Sequence, residues 1–192
     1  MAQGRVRTGE WVAVLGCGGV GLSAVQIAVA AGARVVAVDV SPAALDAAKA
    51  LGATTAIDSA SLGGAAAVAD AIMAATSGGA DLSIDALGSP ETAVASILGL
   101  RKRGRHVQVG LLLGPQAAPP IPMDRVIARE LEILGSHGMA AHEYPEMLAR
   151  IADGRLRPDR LVGRTISLDE APAAIVAMGG PATAAGMTVI AL

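Results

Sequence analysis

Trp11-Val12-Ala13-Val14-Leu15-Gly16-Cys17-Gly18-Gly19-Val20-Gly21 is a short apolar run, rich in β-formers, that breaks into glycines. The residues after it, Val20 to Ala31, have helical composition and close at Gly32. A strand, a Gly16-x-Gly18-x-x-Gly21 turn and a helix in that order form a phosphate-binding unit. Gly16 permits the tight turn out of the strand, Gly18 removes the side chain that would block a pyrophosphate, and Gly21 lets the helix approach the sheet. The helix N-terminus offers N–H groups and a partial positive charge to the phosphates, so Gly16, Gly18, Gly19, Val20 and Gly21 are candidate dinucleotide contacts.

The pattern repeats outward from this unit. Arg34 to Val38 reads as a second strand. Ser41-Pro42 opens a helix, Ser as N-cap and Pro at the first helical position, that runs to about Leu51 and stops at Gly52. Thr54 to Ile57, Asp81 to Ile84, His106 to Val109 and Leu131 to Leu134 read as strands three to six. Helices over Ala65–Ala75 and Pro90–Leu100 flank the fourth strand. The strands are continuous apolar runs, which calls for a parallel sheet covered by helices on both faces: an α/β, doubly wound Rossmann arrangement of six strands. Gly114 to Pro122 is Pro-rich and reads as an irregular loop. After the sixth strand the alternation stops. Glu143–Asp153 reads as a helix, Leu161–Leu168 as a strand, Asp169-Glu170-Ala171-Pro172 as a helix start and Gly186–Leu192 as a last strand. This divides the chain into a dinucleotide-binding domain over residues 1–155 and an appended segment over 156–192.

Composition narrows the function. The net charge of −2 gives no basic footprint for nucleic acid, and one Trp, one Tyr and no Phe leave almost no stacking platforms for single strands. A single cysteine, Cys17, excludes an internal disulfide and a Cys-rich zinc site, and fits a reducing, cytoplasmic setting. Two uncharged stretches, Trp11–Ala33 and Ala171–Leu192, are long enough to raise a membrane span. The first is broken by its glycines and the second by Pro172, Gly179, Gly180 and Pro181, so both read as strand plus helix.

Asp39 ends the second strand eighteen residues after Gly21. A carboxylate there accepts hydrogen bonds from the adenosine ribose and repels a 2′-phosphate. Val40, Ser41 and Pro42 supply no Arg to receive such a phosphate, so the expected cofactor is NAD(H). No catalytic residues or metal ligands are assigned. His106, His137 and His142 lack ligand-like spacing, His106 reads as a packed strand residue, and Tyr144 is followed by Pro145 without a YxxxK pattern. The cluster Arg101-Lys102-Arg103-Gly104-Arg105 is expected to complement a helix C-terminus.

The run Gly9–Gly21, with Ala31-Gly32-Ala33, Leu51-Gly52-Ala53, Asp85-Ala86-Leu87-Gly88, Val107-Gln108-Val109-Gly110 and Leu168-Asp169-Glu170-Ala171-Pro172-Ala173-Ala174, resembles the cofactor domain of medium-chain, zinc-dependent alcohol dehydrogenases. The resemblance implies an oxidoreductase whose zinc lies in an N-terminal catalytic domain absent from this sequence. There, zinc would polarise an alcohol or carbonyl substrate while this part positions the nicotinamide for hydride transfer. It further implies that Leu87 lies near the adenine, with Ala86 beside it among the cofactor contacts, that Val109, Gly110 and Leu111 line the nicotinamide, and that Ser136 and His137 offer backbone groups to its carboxamide. Val40 falls beside the ribose-binding Asp39. Many members carry a Lys shortly after that Asp; Val40 to Leu45 has none, which lowers the expected affinity and leaves the NAD preference. The resemblance also implies a homodimer through the sixth strand, and final strands that are exposed, loose or paired with another copy. The alternatives are a zinc-independent, quinone-reductase-like enzyme, against which Gly16 and Asp39 argue, and a non-catalytic NAD(H)-responsive module.

Overall fold

Val12 and Val14 face one side of the first strand and Ala13 and Leu15 the other, and all four are buried. That two-sided burial is why the strand reads as an unbroken apolar run. The computed structural model describes residues 3–178, 180 and 185–192. Gly179 and Pro181, read above as breaks in an uncharged stretch, lie outside the described residues. Strands β1 (Trp11–Leu15), β2 (Arg34–Asp39), β3 (Thr55–Asp58), β4 (Ala80–Asp85), β5 (Leu100–Gln108) and β6 (Glu132–Gly135) form one sheet in the order β3-β2-β1-β4-β5-β6. Every neighbouring pair in it is parallel.

One face is covered by α1 (Gly19–Ala30) and α2 (Pro42–Ala50), whose Leu22, Val25, Ala28, Ala44, Leu45 and Ala48 pack with Val12, Val14, Val35 and Ala37. The other is covered by α3 (Ala65–Ala75) and α4 (Pro90–Leu98), through Val68, Ile72, Ala95 and Ile97 against Ala13, Leu15, Val36 and Val38. The two cores are what a parallel sheet with helices on both sides requires. Ser41 caps α2, and Ser89 caps α4 in a box closed by Thr92.

Three local readings change. First, the basic cluster follows the end of α4 but belongs to β5, and its cations face carboxylates instead of a helix C-terminus. Helix α4 stops at Leu98 with Gly99 as its cap, and the strand begins at Leu100. Its register jumps from Leu100 opposite Ala80 to Arg105 opposite Leu82, so residues 101–104 bulge out. The cations are paired: Arg101 with Asp81 at 2.6 Å, Arg105 with Glu10 at 2.7 Å, and Lys102 and Arg103 facing Glu130. Second, a helix the pattern did not announce, α5 (Met123–Arg129), fills the connection to β6 after the irregular loop. Third, the last strands do not stay unpaired. β7 (Val162–Ser167) and β8 (Met187–Ala191), with α7 (Ala171–Ala177) between them in sequence, form a two-stranded parallel sheet with Ile166 opposite Ile190. Each gives the other a ladder, although all of β8 remains exposed. Helix α6 (Tyr144–Ala152) precedes this unit, and Gln26 on α1 anchors its start by exchanging two hydrogen bonds with the Arg157 backbone, at 2.8 and 3.0 Å.

Candidate cofactor site

The strand order reverses between β1 and β4, and at such a switch point the carboxyl ends of parallel strands open a crevice. The loops after β1, β2, β4, β5 and β6 carry all of the expected site residues to that edge. Gly16 turns out of β1 with φ +85°, a left-handed conformation suited to glycine. A Cβ on Gly21 would stand 1.7 Å from the Gly16 carbonyl oxygen, so the first turn of α1 lies directly on the loop. Gly18 differs from both. Its φ of −72° and ψ of −165° suit any residue, and a Cβ there would have no atom within 4 Å. The fold makes no demand for glycine at position 18; a ligand lying against the backbone would.

The N-terminus of helix α1 carries no protein cap. Gly18, its N-cap, supplies no side-chain cap, and no acidic residue lies in its first turn. The N–H groups of that turn are therefore left for a ligand. This contrasts with the serine caps of α2 and α4 at the same edge. Asp39 Oδ2 accepts the Cys17 N–H at 2.6 Å and Oδ1 accepts the Ser41 N–H at 2.8 Å. The carboxylate thus ties the end of β2 to the glycine loop while Ser41 caps the next helix. Cys17 is buried, and burial first, then the Asp39 charge, pushes its thiol up to about 12. It remains a protonated packing residue at neutral pH.

A cleft of about 220 Å³ gathers Gly16, Asp39, Val40 and Leu87, with Ser59, Leu62, Glu91 and Thr92 at its walls. Val40 and Leu87 are 64% and 61% exposed, apolar faces open to solvent. The Ser59, Leu62, Glu91 and Thr92 contributions escaped the sequence reading. The signal available was Ser89-Pro90, which opens a helix at this edge as Ser41-Pro42 does. A larger open depression of about 480 Å³, lined by Thr8, Trp11, Arg34, Asp81 and Arg101, lies around the amino ends of the strands. Its cations are engaged, Arg34 over the Trp11 ring at 4.3 Å and Arg101 with Asp81.

Gly18, Gly19, Val20, Gly21, Ala86, Val109, Gly110, Leu111, Ser136 and His137 do not line the 220 Å³ cleft. Asp85 ends β4, and its main-chain oxygen accepts the N–H groups of both Val109 and Gly110. The turns after β4 and β5 therefore touch: a Cβ on Gly110 would stand 2.2 Å from the Gly88 nitrogen. Ala86 donates its N–H to the Leu15 carbonyl, and Leu111 is exposed. The Ser136 N–H is donated to the Gln108 carbonyl, which leaves the Ser136 carbonyl and the backbone of exposed His137 at the end of β6. A Cβ on Gly19 would meet Met187 Cγ at 2.7 Å, so β8 lies over the glycine loop. Among the described residues no group of three or more His, Cys, Asp or Glu is placed to hold a metal ion, and no step is assigned to zinc here.

A sheet of this order with an uncapped glycine loop at its switch point defines a dinucleotide-binding dehydrogenase fold. The zinc-binding dehydrogenase family matches residues 19–153, and the chain belongs to that family. It is 33% identical over 164 residues to an alcohol dehydrogenase of Geobacillus stearothermophilus, covering 85% of this chain and 45% of that one. It is 32% identical over 174 residues to scyllo-inosose 3-dehydrogenase of Thermotoga maritima, covering 88% of this chain and 43% of the relative. The solved alcohol dehydrogenase of Thermus sp. ATN1 superposes with a TM-score of 0.82 at 30% identity, over 92% of this chain and 50% of that one. The chain thus spans less than half the length of these two curated relatives.

Proposed function

We propose that the chain is the NAD(H)-binding part of an alcohol-dehydrogenase-like oxidoreductase, with residues 1–155 as the cofactor domain and 156–192 as a segment that packs against a catalytic part. The observation that carries this reading is Gly18: a glycine that the fold does not require, facing open space at an uncapped helix N-terminus. Gly16, Gly18, Gly19, Val20 and Gly21 hold the pyrophosphate, and Asp39 and Val40 the adenosine ribose. Ala86 and Leu87 border the adenine. Val109, Gly110, Leu111, Ser136 and His137 border the nicotinamide. Bound nicotinamide supplies a hydride donor or acceptor; these residues bind and orient it. The names of the relatives, alcohol and polyol dehydrogenases, support a small alcohol, aldehyde or ketone as the substrate of the longer protein.

Cofactor choice follows from Asp39. Asp39 lines the cleft, and Val40-Ser41-Pro42 brings no cation to neutralise a 2′-phosphate. NADPH should bind at least about tenfold more weakly than NADH, with the preference lost in Asp39→Ala. Parallel titrations of wild type and variant test this; equal affinity of the wild type for both cofactors would contradict it. The chain is further proposed to act in the cytoplasm as a homodimer through β6. One buried cysteine and the half-exposed Ile133 on that edge strand support this. Among the described residues no helix is long and apolar enough to cross a membrane.

A further inference from the structure

A chain of buried polar side chains runs from the core under α4 to the two touching turns, and packing alone does not explain it. Asp85, His106, Ser83 and Ser96 are each at most 1% exposed. Asp85 Oδ1 accepts the N–H groups of Leu87 and Gly88, both at 3.0 Å. Asp85 Oδ2 and the Gly110 carbonyl both face Gln108 Nε2 at 2.8 Å. Those two groups are acceptors, so the atom between them is the amide nitrogen and Gln108 Oε1 points back toward His106 Nε2, 3.2 Å away. The Nε2 position therefore carries the imidazole proton. Nδ1 is then an acceptor, served by the Ser96 hydroxyl at 2.9 Å, with Ser83 Oγ at 3.4 Å. Every orientation follows from its neighbour, and the series ends on the Gly110 carbonyl.

We propose that Gln108 is a positioning residue for the nicotinamide half of the cofactor: its amide ties the Gly110 carbonyl to the Asp85 carboxylate, in addition to the Val109 and Gly110 N–H bonds to the Asp85 main-chain oxygen, and His106 and Ser96 fix the direction of that amide. This inference rests on the NAD(H) reading above. The clamp acts on one end of the site only. The glycine loop and Asp39 are held by separate bonds, Gly16 N–H to the Val38 carbonyl and Cys17 N–H to Asp39. Leu87 and Gly88 keep their Asp85 acceptor whatever stands at position 108. Loss of the Gln108 amide should therefore separate two ligands that share an adenosine diphosphate and differ in the nicotinamide.

The experiment is a calorimetric titration of the 192-residue chain and of Gln108→Leu with NADH and with ADP-ribose. The expected result is an NADH affinity lowered about tenfold in the variant, with ADP-ribose affinity held within about twofold. Equal losses for both ligands would make Gln108 a merely structural residue and overturn the proposal, as would no loss for either. A wild type that binds ADP-ribose and NADH leaves the cofactor reading standing whatever the variant does; a wild type that binds neither ends both. If circular dichroism shows Gln108→Leu unfolded, the wild type decides by nitrogen-15 NMR. The Gln108 side-chain amide signals should shift on adding NADH and not on adding ADP-ribose; no shift with NADH, or the same shift with both, overturns the clamp.

Discussion

His106 shows how one residue ties stability to the site. Burial lowers its pKa from the ordinary 6.5, and the Gln108 hydrogen bond and the Asp85 charge only partly oppose that. Above pH 6.5 the imidazole is neutral in both folded and unfolded chains. Below it the unfolded chain takes up a proton that the folded chain resists. This residue's contribution is therefore lost progressively as pH falls from 6.5 toward the folded value, by up to about 1.4 kcal/mol per pH unit. Urea unfolding at pH 7.5 and 5.5 should show a larger acid-induced loss in the wild type than in His106→Asn; equal losses would contradict the assignment. The sequence marked His106 as packed, which it is, but could not mark Gln108. A polar residue near the end of an apolar strand gains meaning only from Asp85, on the neighbouring strand, opposite it in the register. The glycine loop and Asp39 were legible because their chemistry is written at fixed local spacing.

Among the elements, the six strands of the main sheet were legible at the edges as well as in the middle. β1 and β2 lie in the middle of the sheet, and their apolar runs announce them, whereas β4 beside β1 interleaves Asp81, Ser83 and Asp85 with its apolar residues. β5 was read only from His106, because its first part is a bulge of cations whose partners, Asp81, Glu130 and Glu10, lie elsewhere in the chain. Helix α5 was missed because it is short and follows Pro122 without a side-chain cap. β6 is one edge of the sheet, and Ile133 on it is 41% exposed. An edge of that kind favours pairing with a second copy. Sedimentation at micromolar concentration should give a dimer, and Ile133→Lys a monomer. A monomeric wild type would count against the β6 interface.

At the scale of the whole molecule, the division of labour is between a six-stranded sheet that carries the loops of one crevice and a small β7–β8 unit that lies over the glycine loop through Met187. The exposed Ile175, Val176 and Met178 on and after α7, and Leu192 at the end of the chain, give that unit an apolar surface suited to the catalytic part proposed above. In the proposed function the crevice receives the pyrophosphate of NADH at Gly18. Aspartate at that position is a better helix N-cap than glycine, so Gly18→Asp should keep stability within about 0.5 kcal/mol of the wild type. It also places a carboxylate where the phosphates would lie. The most direct measurement is a titration of wild type and Gly18→Asp with NADH, followed by nicotinamide fluorescence, with thermal unfolding of both. Saturable binding by the wild type, none by the variant, and similar melting temperatures are expected. Equal binding by the two proteins, or no binding by a folded wild type, would contradict the proposed function.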